Sequence, residues 1–281
     1  MAHQGAKRKT ARRAPARPRW GLRLGGFAVV AALAVAVAIA LADRTPAAAT
    51  VPEALRAEVL ESYPHARDAF TQGLVYHDGR LYESTGLVGH SSLREVELRS
   101  GRVLRRADVD APRFAEGLAR VDDRLWQLTW HAGRALVWDR AGFEHLSTRR
   151  YEGEGWGLCF DGTHLVMSDG SAHLAFRDPE TFDVERRVRV TKVGQPVRRL
   201  NELECVDGHV YANVWRADDI VRIDPDTGRV TAVIDASGLL PAEEAADAGV
   251  LNGIAHVPER DTFLLTGKRW PRMFEVALVP R

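Results

Sequence analysis

The chain has 281 residues, 45% hydrophobic and 27% charged, enough to bury a large core and too apolar for a largely disordered polymer. Its formal charge of +1 hides an asymmetry: residues 1–42 hold eight Lys or Arg and no acid, which leaves 31 basic against 38 acidic residues in the rest. A body carrying −7 is a poor nucleic-acid binder, and two cysteines exclude both a disulfide-stapled miniprotein and a four-cysteine zinc site.

Residues 1–24 are a basic segment containing Lys7, Arg8, Lys9, Arg12, Arg13, Arg17, Arg19 and Arg23. Residues 25–42, GGFAVVAALAVAVAIALA, carry no charge. As a helix those 18 residues rise about 27 Å, close to the ~30 Å hydrocarbon core of a bilayer. A basic flank, an apolar run and a small-residue end describe a signal peptide or a signal anchor. Ala40-Leu41-Ala42 and Ala47-Ala48-Ala49 both offer small-residue cleavage sites. The positive flank stays cytoplasmic, so the remainder is expected to be exported: periplasmic or otherwise extracytoplasmic, secreted or held at the membrane by the uncleaved helix. Ala14-Pro15 follows Arg12-Arg13 where a twin-arginine signal wants large apolar side chains, which disfavours that route. Residues 43–57 read as a linker and residues 58–281 as one folded domain.

Self-comparison of that domain gives five related segments. They begin at Thr71, Ala115, Gly155, Asn201 and Asn252, with equivalent apolar positions Leu74, Leu118, Leu158, Leu203 and Ile254. The spacings are 44, 40, 45 and 51 residues. Each unit reads as a short strand, a turn at Asp-Gly or Asp-Asp, and a second alternating strand; Asp-Gly supplies the positive φ that a tight hairpin needs. Third strands follow at Ser92–Leu98, Ala135–Trp138, His173–Arg177, Ile220–Asp224 and Met273–Ala277. Fourth strands follow in turn, as at Arg102–Arg105 and Arg229–Ile234. Four antiparallel strands in every 40–50 residues make one propeller blade. The expected fold is therefore an all-β, five-bladed β-propeller. The last unit lacks its fourth strand, so Glu58–Tyr63 is expected to supply it and close the ring.

The repeats depart from their own pattern at the start of the first strand and the end of the second. There stand Phe70 and Gln72, Phe114 and Glu116, Trp130, Trp156, Asn201, Trp215, and Lys268 with Trp270. Side chains beginning an inner strand reach one rim of the central channel, so polar groups and aromatics converge on one pocket. Packing between blades is the competing reading for each tryptophan, and a paired surface charge for Glu116 and Lys268. Asp-rich turns such as Asp224-Pro-Asp-Thr-Gly228 read as turn-builders rather than ion sites. None of the ten histidines has a metal-ligand spacing, so no metal or cofactor is expected. Cys159 and Cys205 hold similar places in repeats three and four; a disulfide is possible, and two free thiols are favoured.

The motifs FTQGL (70–74), LYESTG (81–86), FAEGL (114–118), LTW (128–130), EGWGL (154–158), LNELE (200–204), YANVW (211–215), LNGIA (251–255) and TGKRWP (266–271) resemble the plant and bacterial glutaminyl-peptide cyclotransferase family. The resemblance runs in order through residues 59–278. It implies a five-bladed propeller that converts the N-terminal glutamine of a peptide or protein to pyroglutamate, releasing ammonia without a metal. It also implies the pocket: Glu116 as acid/base, Lys268 and Asn201 beside it, and Phe70, Gln72, Phe114, Trp130, Trp156 and Trp215 around the substrate. The expected partners are peptides with N-terminal glutamine, and the expected state is a monomer.

That chemistry asks for three things. The α-amine attacks the γ-carboxamide of its own residue, so no enzyme nucleophile is needed and orientation contributes much of the rate. The developing oxyanion needs donors, for which Lys268 and Asn201 are candidates. A proton must pass from the amine to the departing nitrogen, and a carboxyl buried among aromatics suits that task. Two alternatives stand beside this reading. One is an extracytoplasmic propeller that binds peptides or cell-wall fragments without turnover. The other is a metal-dependent lactone hydrolase, disfavoured by one central Glu beside a Lys.

Overall fold

The computed structural model describes residues 50–281, so the basic segment, the apolar run and the linker up to residue 49 lie outside the described residues. The described chain is all-β apart from a single 3-10 turn at Ala242–Glu244. It opens with a long strand, β1 (Glu53–Pro64). The first four-stranded sheet holds β2 (Thr71–His77), β3 (Arg80–Thr85), β4 (Ser92–Glu97) and β5 (Arg102–Asp108). The second holds β6 (Ala115–Val121), β7 (Arg124–Thr129), β8 (Arg134–Asp139) and β9 (His145–Arg150). The third holds β10 (Leu158–Phe160), β11 (Leu165–Ser168), β12 (His173–Arg177) and β13 (Val184–Arg189). After a small hairpin, β14 (Thr191–Lys192) and β15 (Gln195–Pro196), come β16 (Leu200–Val206), β17 (His209–Val214), β18 (Asp219–Ile223) and β19 (Val230–Asp235). The last run is β20 (Leu251–Val257), β21 (Thr262–Gly267) and β22 (Arg272–Pro280).

The first three sheets are antiparallel meanders in chain order, and so are the runs β16–β19 and β20–β22, which β1 joins into one eight-stranded sheet ordered β16-β17-β18-β19-β1-β22-β21-β20. The tight first hairpins use the residues the sequence supplies for them: Asp78 and Gly79 sit at φ +49° and +73°, and Asp207 and Gly208 at +47° and +73°. That pair of left-handed residues matches the twist of a two-residue hairpin. Elsewhere Asp224 Oδ1 accepts from the Asp226 and Thr227 amides at 3.0 and 2.9 Å, so its oxygen is spent on the turn.

The first strands touch in succession, β2 to β6, β6 to β10, β10 to β16, β16 to β20, and β20 back to β2. This closed circuit is consistent with a propeller. Close approach explains the recurrent glycine of the motif: a Cβ at Gly73 would lie 2.4 Å from the Leu118 nitrogen, and one at Gly157 2.0 Å from the Asn201 carbonyl oxygen. The fourth repeat has Glu202 at that position. Its fully buried carboxylate accepts from the Leu74 amide at 3.3 Å and the Ile254 amide at 2.7 Å, joining β16 to β2 and β20 across the centre. Apolar clusters fill the spaces between sheets, as where Tyr82 and Leu93 meet Leu118, Leu125 and Trp138.

The expected closing pair is present and longer than the sequence indicates. β1 runs antiparallel to β22 from Leu55 opposite Pro280 to Pro64 opposite Arg272. Glu53–Arg56 also pair in parallel with Ala232–Asp235 of β19. The linker expected over 43–57 is corrected accordingly: its last five residues are strand. Glu53, Arg56 and Glu58 are exposed, so their polarity resembles a linker while the backbone makes the pairing.

The favoured reading of two free thiols is also corrected. Cys159 on β10 and Cys205 on β16 form a disulfide across neighbouring inner strands, with Cα atoms 5.5 Å apart. The close approach of these strands brings the pair within bridging range, which their 46-residue separation conceals. A Cys159→Ser/Cys205→Ser variant is expected to unfold with about 2–4 kcal/mol less stability. Denaturant unfolding with and without reductant checks it: reductant should lower the wild-type midpoint and leave that of the variant unchanged.

Burial pushes the Glu204 carboxyl up to about 8, although the His256 amide donates to it at 2.8 Å. Because the folded state holds this proton to higher pH than the unfolded state, the contribution is present in acid and lost as pH rises through that range. Stability of the wild type relative to Glu204→Gln is therefore expected to fall between about pH 5 and pH 8. Thermal unfolding of both proteins at several pH values measures the difference.

Candidate active site

The site is built from the two repeat positions where the pattern breaks. Gln72, Glu116 and Asn201 lie within β2, β6 and β16, and Asn252 holds the same place in β20. In all four strands the pairing register shifts there, between Thr71 and Gly73, Ala115 and Leu118, Leu200 and Leu203, and Leu251 and Ile254. Bulges of this kind interrupt the two-residue alternation and re-aim a side chain. Phe70, Phe114 and Trp156 stand just before their inner strands, and Trp130, Trp215 and Lys268 just after the second strands.

All nine residues singled out in the sequence line one cavity of about 420 Å³, together with Arg216, Gly249 and Val250. Trp270 does not join them. It is buried against Phe274 and donates from its indole to the Gly249 carbonyl at 2.9 Å, so it shapes the loop instead.

Polar contacts fix the floor of the cavity. Gln72 Nε2 donates to Glu116 Oε1 at 2.7 Å, and Asn252 Nδ2 donates to Gln72 Oε1 at 3.2 Å and to the Thr71 carbonyl at 3.0 Å. This relay sets the orientation of the Gln72 amide. Ser84 Oγ donates to the Glu116 carbonyl at 2.5 Å and accepts from Gln127 Nε2 at 2.9 Å, which holds the backbone beneath the carboxyl. Asn201 is buried, and among the described residues its side-chain amide has no hydrogen-bond partner, leaving it free for a ligand. Lys268 is also buried; its Nζ lies 4.9 Å from the Phe70 ring centroid.

Burial pushes the Glu116 carboxyl well above the usual carboxylate range; the Lys268 charge opposes this and Glu154 adds to it. Burial likewise pulls the Lys268 ammonium down, opposed by Glu116. Each group is therefore closer to exchanging a proton at neutral pH than it would be in water.

The wall is aromatic. Phe70 meets Phe114 edge-on at 6.0 Å between centroids, and Phe114 meets Trp130 at 5.6 Å. Trp156 meets Trp215 at 5.5 Å. Glu154 joins the two runs: its Oε2 accepts from the Trp130 indole at 2.7 Å and the Trp156 indole at 2.8 Å. Sequence reasoning passed over Glu154 because a glutamate beside a glycine reads as solvated charge, and nothing local shows that two indoles share it. Asn252 was legible in principle, since it occupies the repeat position of Gln72, Glu116 and Asn201.

A family model described as glutamine cyclotransferase matches residues 30–278. A glutaminyl-peptide cyclotransferase of Arabidopsis thaliana is 39% identical over 227 residues, which is 79% of this chain and 71% of the relative. The crystal structure of Myxococcus xanthus glutaminyl cyclase superposes with a TM-score of 0.77 at 44% identity, covering 82% of this chain and 99% of that one.

The shared carboxylate gives a test of the wall. Replacing Glu154 by Ala leaves two indole N–H groups without their acceptor and is expected to cost about 1–2 kcal/mol. Indole fluorescence should shift to the red and become more open to acrylamide quenching. Glu154→Gln retains an acceptor oxygen and should stay near the wild type in both measurements.

Proposed function

The chain belongs to the glutamine cyclotransferase family, and from that premise we propose that its cavity holds the N-terminal glutamine of a peptide and closes it to pyroglutamate with release of ammonia. The observation that carries this reading is a single buried carboxyl, Glu116, facing a cavity otherwise walled by aromatics and served by two amides and an ammonium.

The substrate enters with one proton shared between its α-amine and Glu116. Glu116 takes that proton, and the neutral amine attacks the γ-carboxamide carbon. A C–N bond forms and the carbonyl oxygen becomes negative. Lys268 and the Asn201 amide donate to this oxygen, while Gln72, oriented by Asn252, positions the carboxamide. Glu116 gives its proton to the departing nitrogen and recovers one from the ring nitrogen. The original C–N bond breaks and ammonia leaves. Five tryptophan and phenylalanine side chains exclude water and hold the glutamine folded against itself. The sequence of steps uses no metal.

We read the five four-stranded units as five blades of one propeller, with β1 completing the fifth. We also place the domain outside the cytoplasm, as a monomer, secreted or tethered by residues 25–42. The Cys159–Cys205 disulfide supports an oxidising compartment.

Ammonia release from a glutaminyl dipeptide by the full chain tests the reaction. Release is expected to resist EDTA. Glu116→Gln, which preserves shape and loses the exchangeable proton, should lower kcat about 10²–10⁴-fold while folding normally. The wild-type kcat/KM should fall in acid, where amine and carboxyl both hold protons, and in alkali, where neither does; the two limbs belong to the pair. Binding without release, or a folded Glu116→Gln that keeps most of its kcat, would overturn the assignment.

A further inference from the structure

Next to the aromatic cavity lies a second one of about 470 Å³, lined by Arg67, Asp68, Arg94, Arg106, Asp247 and Arg269 among others. The two share their walls. Three short segments contribute to both: Arg67 and Asp68 on one side with Phe70 on the other, Asp247 with Gly249 and Val250, and Arg269 with Lys268. The turn after β21 makes the last division. Arg269 takes φ +60°, so Lys268 faces the first cavity and Arg269 the second, its guanidinium 5.8 Å from the Phe70 ring centroid.

The charges in this second cavity do not balance. Asp68 is occupied by the buried Arg94, which reaches both its oxygens at 3.2 and 3.1 Å. Arg106 leans on the exposed Asp108 at 2.6 Å. Among the described residues neither Arg67 nor Arg269 has an ion-pair partner within 4.0 Å; Arg67 attracts Glu244 only from further off, since that carboxylate is held by Arg272, and Asp247 is the one acid left in the lining. The mouth of the first cavity has the same sign: besides Glu116, its charged lining residues are Lys268 and Arg216, the latter 4.3 Å from the Trp215 ring centroid.

We propose that this second cavity is a subsite for the residues that follow the N-terminal glutamine, and that it selects peptides acidic at the second and third positions. The proposal rests on the cyclotransferase reading. With the glutamine side chain and amine turned inward, a path for the rest of the peptide runs over the Phe70 rim, where residues 67–70 and 268–269 join the cavity to the concave surface lined by Arg67 and Arg269. Carboxylates there meet two unmatched guanidinium groups. Basic side chains meet the same groups as like charges, and the partly exposed setting makes the effect sensitive to salt.

The test uses the full chain and three peptide amides, Gln-Glu-Glu, Gln-Ala-Ala and Gln-Lys-Lys. At low ionic strength kcat/KM is expected to fall in that order, by about fivefold from first to last, with the difference carried mainly by KM. The spread should close at high salt. An Arg67→Glu/Arg269→Glu variant should reverse the order and keep its turnover of Gln-Ala-Ala; Arg67→Gln alone should narrow the spread. Equal kcat/KM values for the three peptides in the wild type, or an acidic preference that survives the double reversal, would overturn the subsite and leave the cyclotransferase intact. Failure to turn over even Gln-Ala-Ala would overturn both.

Discussion

The closeness of the inner strands is the constraint from which the rest follows. Where neighbouring strands meet there is no room for a Cβ, as at Gly73 and Gly157. Strands that approach this closely cannot all keep a regular pleat, and they bulge beside the glycine. The bulge then turns Gln72, Glu116, Asn201 and Asn252 toward a common point. The reactive floor is thus a by-product of closing the ring. The same crowding brings Cys159 beside Cys205 and lets Glu202 reach amides on two other inner strands, β2 and β20.

A carboxyl in this position is isolated by design of its surroundings. Aromatic rings remove the water that would otherwise stabilise its charge, and the ammonium across the cavity restores part of that stabilisation. The balance leaves a group able both to accept and to release a proton. The rings need holding in turn, and one half-buried carboxylate, Glu154, does this for two of them. Acidic groups therefore differ in their surroundings here: one is kept from water, which favours its protonated form, and the other stays partly in water and anchors the wall.

Much of this was legible in the sequence. Five recurrences of one apolar and turn pattern gave the sheets, and the departures from it gave nine cavity residues, because a repeat exposes its exceptions. What escaped had a common cause. The strand beginning at Glu53 pairs through its backbone while most of its side chains, Leu55 and Tyr63 apart, face solvent. The Cys159–Cys205 bond depends on the distance between strands 46 residues apart. The double acceptance by Glu154 depends on where two loops end. Periodicity reports which face of an element is buried and carries little about the spacing between elements.

The first strand has a consequence for biogenesis. Because β1 lies between β19 and β22, the first strand described here is held by strands that follow it by more than 160 residues. Until β22 emerges, β1 can pair only with β19, through Glu53–Arg56, and the long antiparallel pairing of its remaining residues is missing. The sheet that carries β16 and β20 therefore gains its full set of neighbours only once β22 has been made, long after the strand that β22 joins.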